Sequence, residues 1–199
     1  MKQYYIPYTP GEKKFNYLPI LYLYKIAEYN KETKTYNKIA MRTLGELAEK
    51  INNAFGTSVI SKSTLSRVLN DERYKNFLSY DRERKEIILQ NDFRSKPGEK
   101  KKQSFIVLSE REFDFLAKSQ DSLLIQYFFY LRYFCGISKS KKTDSTAKQF
   151  LAACGYSTSS NDYVSKVSEY NGILLANGII RIEKYTDELG HTRNRYTFV

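Results

Sequence analysis

Three groups of short polar and cationic side chains in this sequence have the types and spacing to hold a nucleic-acid duplex. The first is Lys62, Ser63, Thr64, Ser66 and Arg67, followed by Arg82, Arg84 and Lys85; the second is the run Lys100, Lys101 and Lys102; the third is Asn161, Tyr163, Ser165 and Lys166, with Arg193 further on. Small hydroxyls and amides reach base edges or phosphates without blocking approach, while lysine and arginine supply charge. Arg67 is the strongest candidate, because its planar guanidinium can bind guanine or a phosphate through two parallel hydrogen bonds. Asp162 and Glu169 share the third edge and repel phosphate. That edge is therefore expected either to contact DNA less tightly or to pair with another subunit.

Each group also has a plainer account. Ser61, Ser63 and Thr64 can serve as helix caps, with Arg67 an ordinary surface residue. Hairpin cations, Arg195 among them, keep strand edges soluble. The lysine run falls in a stretch, 94–102, with the composition of a solvated spacer.

Catalytic arrangements fail one by one. His191 is the only histidine, and Cys135 and Cys154 are too far apart in sequence for a zinc motif. No GxxxxGK[ST] phosphate loop is present. A tyrosine nucleophile of the nicking or recombining kind needs histidines or arginines around it, and His191-Thr192-Arg193 in a hairpin tip is poor support. No enzyme activity, cofactor or metal is expected.

The elements that position these groups follow from hydrophobic period and punctuation. Met1 to Pro10 carries Tyr4, Tyr5 and Tyr8 around two prolines, so it reads as an extended arm. Its tyrosines can dock on their own domain, on a second copy, or on bases. A helix is predicted over Pro19 to Tyr29, then a polar connection over Lys31 to Lys38. Thr43-Leu44-Gly45-Glu46 fits a capping box that opens a helix with Leu44, Leu47, Ala48, Ile51 and Phe55 on one face. Gly56 ends it, Thr57 to Ile60 turn, and Ser61 or Ser63 caps a short helix with Leu65, Val68 and Leu69 inward. Phe77–Tyr80 and Glu86–Leu89 read as a hairpin tipped by Asp81 to Lys85.

Beyond a basic linker at 94–103, Ser104 to Leu108 reads as a strand, and Ser109-Glu110-Arg111-Glu112 as a second capping box. The helix from about Asp121 to Cys135 is apolar on nearly every side, so it is central or at an interface. The earlier device then repeats: Ala147, Phe150, Leu151 and Cys154 form a stripe, Gly155-Tyr156 a turn, Ser159 or Ser160 a cap, and Val164, Val167 and Leu174 an inward face. Ile180, Ile182, Tyr196 and Phe198 alternate along two strands around a tip at Asp187 to Arg193.

Composition is consistent with this division. Up to Gln103 the chain has 21 Lys and Arg against 12 Asp and Glu, a balance of +9, and beyond it 12 against 10, or +2, of the +11 total. The positive field that would attract a polyanion is concentrated in the first half. Two cysteines without CxxC spacing fit reduced thiols. The longest apolar run, around Tyr127 to Leu131, is too short for a membrane span and no apolar leader follows Met1. A soluble, cytoplasmic protein without membrane contact is expected. Heavy use of Lys, Asn, Tyr and Ile with no Trp suggests an AT-rich coding sequence.

The two repeats, Thr43 to Asn70 with its hairpin and Ser159 to Gly178 running into Ile179 to Tyr185, resemble the tandem winged-helix replication initiators and replisome organisers of low-GC plasmids and phages. The resemblance implies repeated origin sites, dimerisation through one unit and recruitment of replication proteins. The expectation is an α+β, helix-rich chain with two winged helix-turn-helix domains, 1–93 and 104–199. Its partners would be double-stranded DNA, a second copy, and replication or transfer proteins. A transcriptional repressor, a relaxosome accessory protein and a protein-interaction scaffold are the alternatives.

Overall fold

The computed structural model describes residues 3–8, 10–11, 13–30, 35–90 and 104–199, with backbone alone at 30, 35 and 36. The expected linker at 94–103, including Lys100, Lys101 and Lys102, lies outside the described residues. The chain is a mixed α+β protein with seven α-helices and small antiparallel sheets among the described residues.

Two compact units form, one of Met1–Tyr8 with Tyr17–Gln120, the other of Thr9–Asn16 with Asp121–Val199. The first contains β1 (Gln3–Pro7), α1 (Leu18–Ile26), β2 (Glu28–Asn30), β3 (Thr35–Ala40), α2 (Leu44–Phe55), α3 (Lys62–Asn70), a 3₁₀ turn at Glu72–Tyr74, β4 (Leu78–Asp81), β5 (Glu86–Leu89), β6 (Phe105–Ser109) and α4 (Glu110–Ser119). The second contains α5 (Ser122–Ile137), β7 (Lys142–Asp144), α6 (Ala147–Ala153), α7 (Asn161–Ala176), β8 (Ile180–Thr186) and β9 (Thr192–Phe198).

The seam differs from the expected division at 94–103. β6 and α4 belong to the first unit because β6 pairs antiparallel with β1, Tyr4 opposite Leu108. Tyr4 is buried and stacks on Phe113 of α4 at 3.8 Å, and Lys25 of α1 pairs with Asp114 at 2.6 Å. The amino-terminal tyrosines thus dock on their own unit. Two further expectations are corrected. The predicted helix over Pro19 to Tyr29 stops at Ile26, because Ala27 turns extended (φ −64°, ψ 137°) and 28–30 become a strand. The polar connection over Lys31 to Lys38 includes, from Thr35, strand β3.

Within each unit one topology recurs. A helix leads to a strand, two helices and a hairpin, and the first strand pairs with the last: β3-β5-β4 in one unit, extended by β2, and β7-β9-β8 in the other. The helix-helix turns match at the level of hydrogen bonds. Gly56 (φ 68°) ends α2, its N–H donating to Asn53 and the next N–H, Thr57, to Asn52; Gly155 (φ 74°) ends the second copy with Gly155 donating to Ala152 and Tyr156 to Leu151. This is the left-handed termination that glycine adopts without a Cβ penalty. Ser61 and Ser160, the N-caps of α3 and α7, each stand five positions after that glycine.

The caps are local and mostly as read. Thr43 accepts from the N–H of Glu46 at 3.2 Å, Ser61 from that of Thr64 at 3.2 Å, and Ser109 and Glu112 close a reciprocal capping box. A further box, Thr146 with Gln149, opens α6. α5 is central: Leu123 to Leu131 are all buried, and the amide of Gln126 donates to the backbone carbonyl of Phe15. Asp121 caps α5 by accepting from Leu123 and Leu124, and also accepts the Tyr170 hydroxyl of α7 at 2.7 Å.

Candidate nucleic-acid interface

In the first unit, α3 is held against α2 by Leu65 and Val68, both buried. The turn between them is fixed by Asn52, whose side chain accepts from the N–H groups of Val59 (2.8 Å) and Ile60 (3.0 Å) and donates to the Ile60 carbonyl. With its inner face so fixed, α3 presents Lys62, Ser63 and Arg67 to solvent, with Thr64 and Ser66 half-buried. The hydroxyls of Ser63 and Thr64 both lie against Ser61 Oγ, at 2.9 and 3.0 Å. These two hydroxyls are thus engaged with the capping residue, and exposed Lys62 and Arg67, with half-buried Ser66 between them, form the outward edge.

The hairpin turn continues that edge. Asp81 accepts from the N–H groups of Glu83 and Arg84, both at 3.0 Å, an Asx-type lock on a tight connection. Arg82, Arg84 and Lys85 are all exposed. Arg82 donates to Asn70 at the end of α3 (3.5 Å), and Asn70 donates to the Ser66 carbonyl at 2.7 Å. α3 and the hairpin are thus joined by polar side chains as well as by the core. Asp71 is occupied by Arg73, which holds its carboxyl below the usual value.

Arg42 and Lys50 were missed in the sequence. With Arg84 and Lys85 they line a cleft of about 440 Å³ bounded by Met41, Glu46 and Leu47. The missing signal was β3: once residues 35–40 form a strand beside β5, the residues entering α2 face the hairpin turn, and Met41 donates to the Lys85 carbonyl at 3.0 Å. Such a concave cationic surface can hold a phosphodiester backbone.

The second unit is differently charged. Asn161, Ser165 and Lys166 are exposed on α7, and Tyr163 is half-buried against Tyr156, ring centroids 5.2 Å apart. Arg193, expected to reach DNA, instead lies half-buried and donates to Asp187 within its own hairpin. Arg195 is likewise engaged, with Asp144 at 2.9 Å and over the Tyr185 ring at 4.1 Å. Asp187 organises the hairpin tip: it also accepts from Leu189 (3.0 Å) and His191 (2.8 Å), and these partners, Arg193 first, hold its pKa down to about 2. A depressed carboxylate stabilises the fold fully above its ordinary value of 3.8 and loses that contribution as pH falls through about 2. The amides of Leu189 and His191 should therefore resist exchange near pH 4 and open as pH drops toward about 2, and Asp187→Ala, which removes the acceptor, should leave them open throughout. Protection that survives in the alanine variant would remove this role from Asp187.

Among the described residues no group of three or more His, Cys, Asp or Glu side chains is placed to hold a metal ion, and no helix is long and apolar enough to cross a membrane. Both cysteines are buried free thiols, pushed up by burial to about 11 for Cys135 and about 12 for Cys154. The phenols of Tyr24, Tyr127 and Tyr170 are raised for the same reason. No family model matches the sequence, and no curated protein or solved structure matches it either.

Proposed function

We propose that each unit is a winged helix-turn-helix and that the chain binds double-stranded DNA sequence-specifically, as an initiator-type protein at repeated origin sites of a plasmid or phage. The observation that carries this reading is the recurrence, in both units, of helix, strand, helix, glycine-closed turn, helix and hairpin, with the strand order first-third-second. In that arrangement the second helix of the turn lies in the major groove while the hairpin reaches flanking phosphates. In the first unit the edge so presented is Lys62, Ser66, Arg67 and the cationic turn. The internally paired arginines of the second hairpin leave it a smaller phosphate contribution.

Binding should weaken steeply with salt, log K falling linearly with log[salt] at about −0.9 per phosphate neutralised. Selection of bound genomic fragments would then recover tandem repeats near an origin; a lone promoter or a transfer origin would replace the initiator role with repression or transfer. On a cognate site Arg67→Ala should cost about 1 to 3 kcal/mol and relax discrimination at one base position. Equal affinity of wild type and variant would strip Arg67 of base reading, and salt-independent binding would favour a protein-interaction scaffold.

A further inference from the structure

We propose that Lys13 and Lys14, far from α7 in sequence, are phosphate contacts of the second unit's helix-turn-helix edge, donated by the chain segment that docks there. The proposal rests on the DNA-binding reading and assigns that surface two residues.

Thr9–Asn16 belongs to the second unit although the chain on both sides of it belongs to the first. The segment is fixed at several points. Phe15 is 1% exposed, and its carbonyl accepts from Gln126 and from Ser122 at the start of α5. The Lys14 N–H donates to the Cys154 carbonyl at 3.0 Å. Lys14 holds φ 47°, a left-handed conformation that a residue with a side chain keeps only where its surroundings determine it.

This docking brings the stem of Lys13 and the ammonium of Lys14 to the α6–α7 turn. The stem of Lys13 crosses Gly155 so closely that a Cβ there would meet its Cγ at 2.9 Å, its Cβ at 3.1 Å and its Cδ at 3.2 Å. The Lys14 ammonium stands 5.7 Å from the centre of the Tyr156 ring, which in turn lies 5.2 Å from Tyr163 in the first turn of α7. Both lysines are exposed. Read from its own sequence, the edge of α7 sets Lys166 against Asp162 and Glu169. With the docked segment it gains two cations beside the helix start, where a duplex laid along α7 carries its flanking phosphates.

The test measures affinity of the full chain for a cognate duplex across a salt series. Lys13→Gln with Lys14→Gln keeps the stem over Gly155 and removes both charges. The salt slope should become shallower by about 1.8 and affinity at 0.1 M salt should fall roughly fifty-fold, since each phosphate contributes about 0.9. Lys13→Arg with Lys14→Arg should retain both quantities. Lys118→Gln with Lys139→Gln, two other exposed lysines, should leave the slope within about 0.5 of wild type. A Gln pair that binds like wild type, or a control pair that loses as much, overturns the proposal while duplex binding itself stands. Wild type that binds no duplex overturns this proposal together with the reading beneath it.

Discussion

On the proposed DNA-binding reading, alanine at Arg42, Arg82, Arg84 and Lys85 together should lower duplex affinity about four thousand-fold at 0.1 M salt and make the salt slope shallower by about 3.6. The figure assigns one proposed phosphate contact to each residue at about 0.9 each. Three of these residues line the cleft between the start of α2 and the hairpin turn, and the fourth, Arg82, reaches from the turn to Asn70 at the end of α3. The fold should tolerate the change. The turn is set by the Asp81 carboxylate on backbone N–H groups rather than by the arginines, and Lys85 contributes its carbonyl to Met41 whatever its side chain. Arg84 is 78% exposed and 3.7 Å from Asp81, a contact worth little. The measurement is an equilibrium titration from about 0.05 to 0.3 M salt with far-UV circular dichroism as the fold control. A loss under tenfold with an unchanged slope would place the phosphate track elsewhere.

Phe128→Ala should destabilise the second unit by about 3 to 5 kcal/mol. Phe128 is fully buried, meeting Phe129 edge-on at 6.2 Å and Phe198 of β9 at 5.2 Å. Its removal leaves a cavity where a helix and the closing strand of the sheet meet. That loss is a large share of the stability of an ordinary domain. The chain has no tryptophan, but both cysteines lie buried in this unit with raised thiol pKa values. Thiol labelling along a urea series therefore reports the second unit selectively. The labelling midpoint should fall sharply while the slope with urea holds. A shift equivalent to less than about 1 kcal/mol would show that α5 is not the packing centre.

How much of this was legible beforehand depends on the range of each interaction. The stripes Leu47, Ala48, Ile51 and Phe150, Leu151, Cys154 that the sequence predicts are the buried faces, and Thr43 and Ser109 cap the helices that their sequences predict. The hairpins at 78–89 and 180–198 fall within a residue or two of expectation. Partner choice is not local. Nothing in the alternating pattern of 104–109 names β1 as its neighbour, and only the fold sets Asp187 beside Arg193 and brings Arg42 to the hairpin.

By itself, then, the sequence determined most of the helices, the caps at Thr43, Ser61 and Ser109, the two glycine-closed turns and the polar edge of α3, since those depend on hydrogen bonds and side-chain periods that close within a few residues; the end of α1 at Ile26 it did not. Only the tertiary structure decided the first-third-second strand order, the return of β6 to β1, the cleft at Arg42 and the docking of Lys13 over Gly155 and Lys14 beside Tyr156. The physical reason is that a contact between distant segments is selected by the loop-closure entropy and burial of the whole chain, and neither quantity is written in any local stretch of residues.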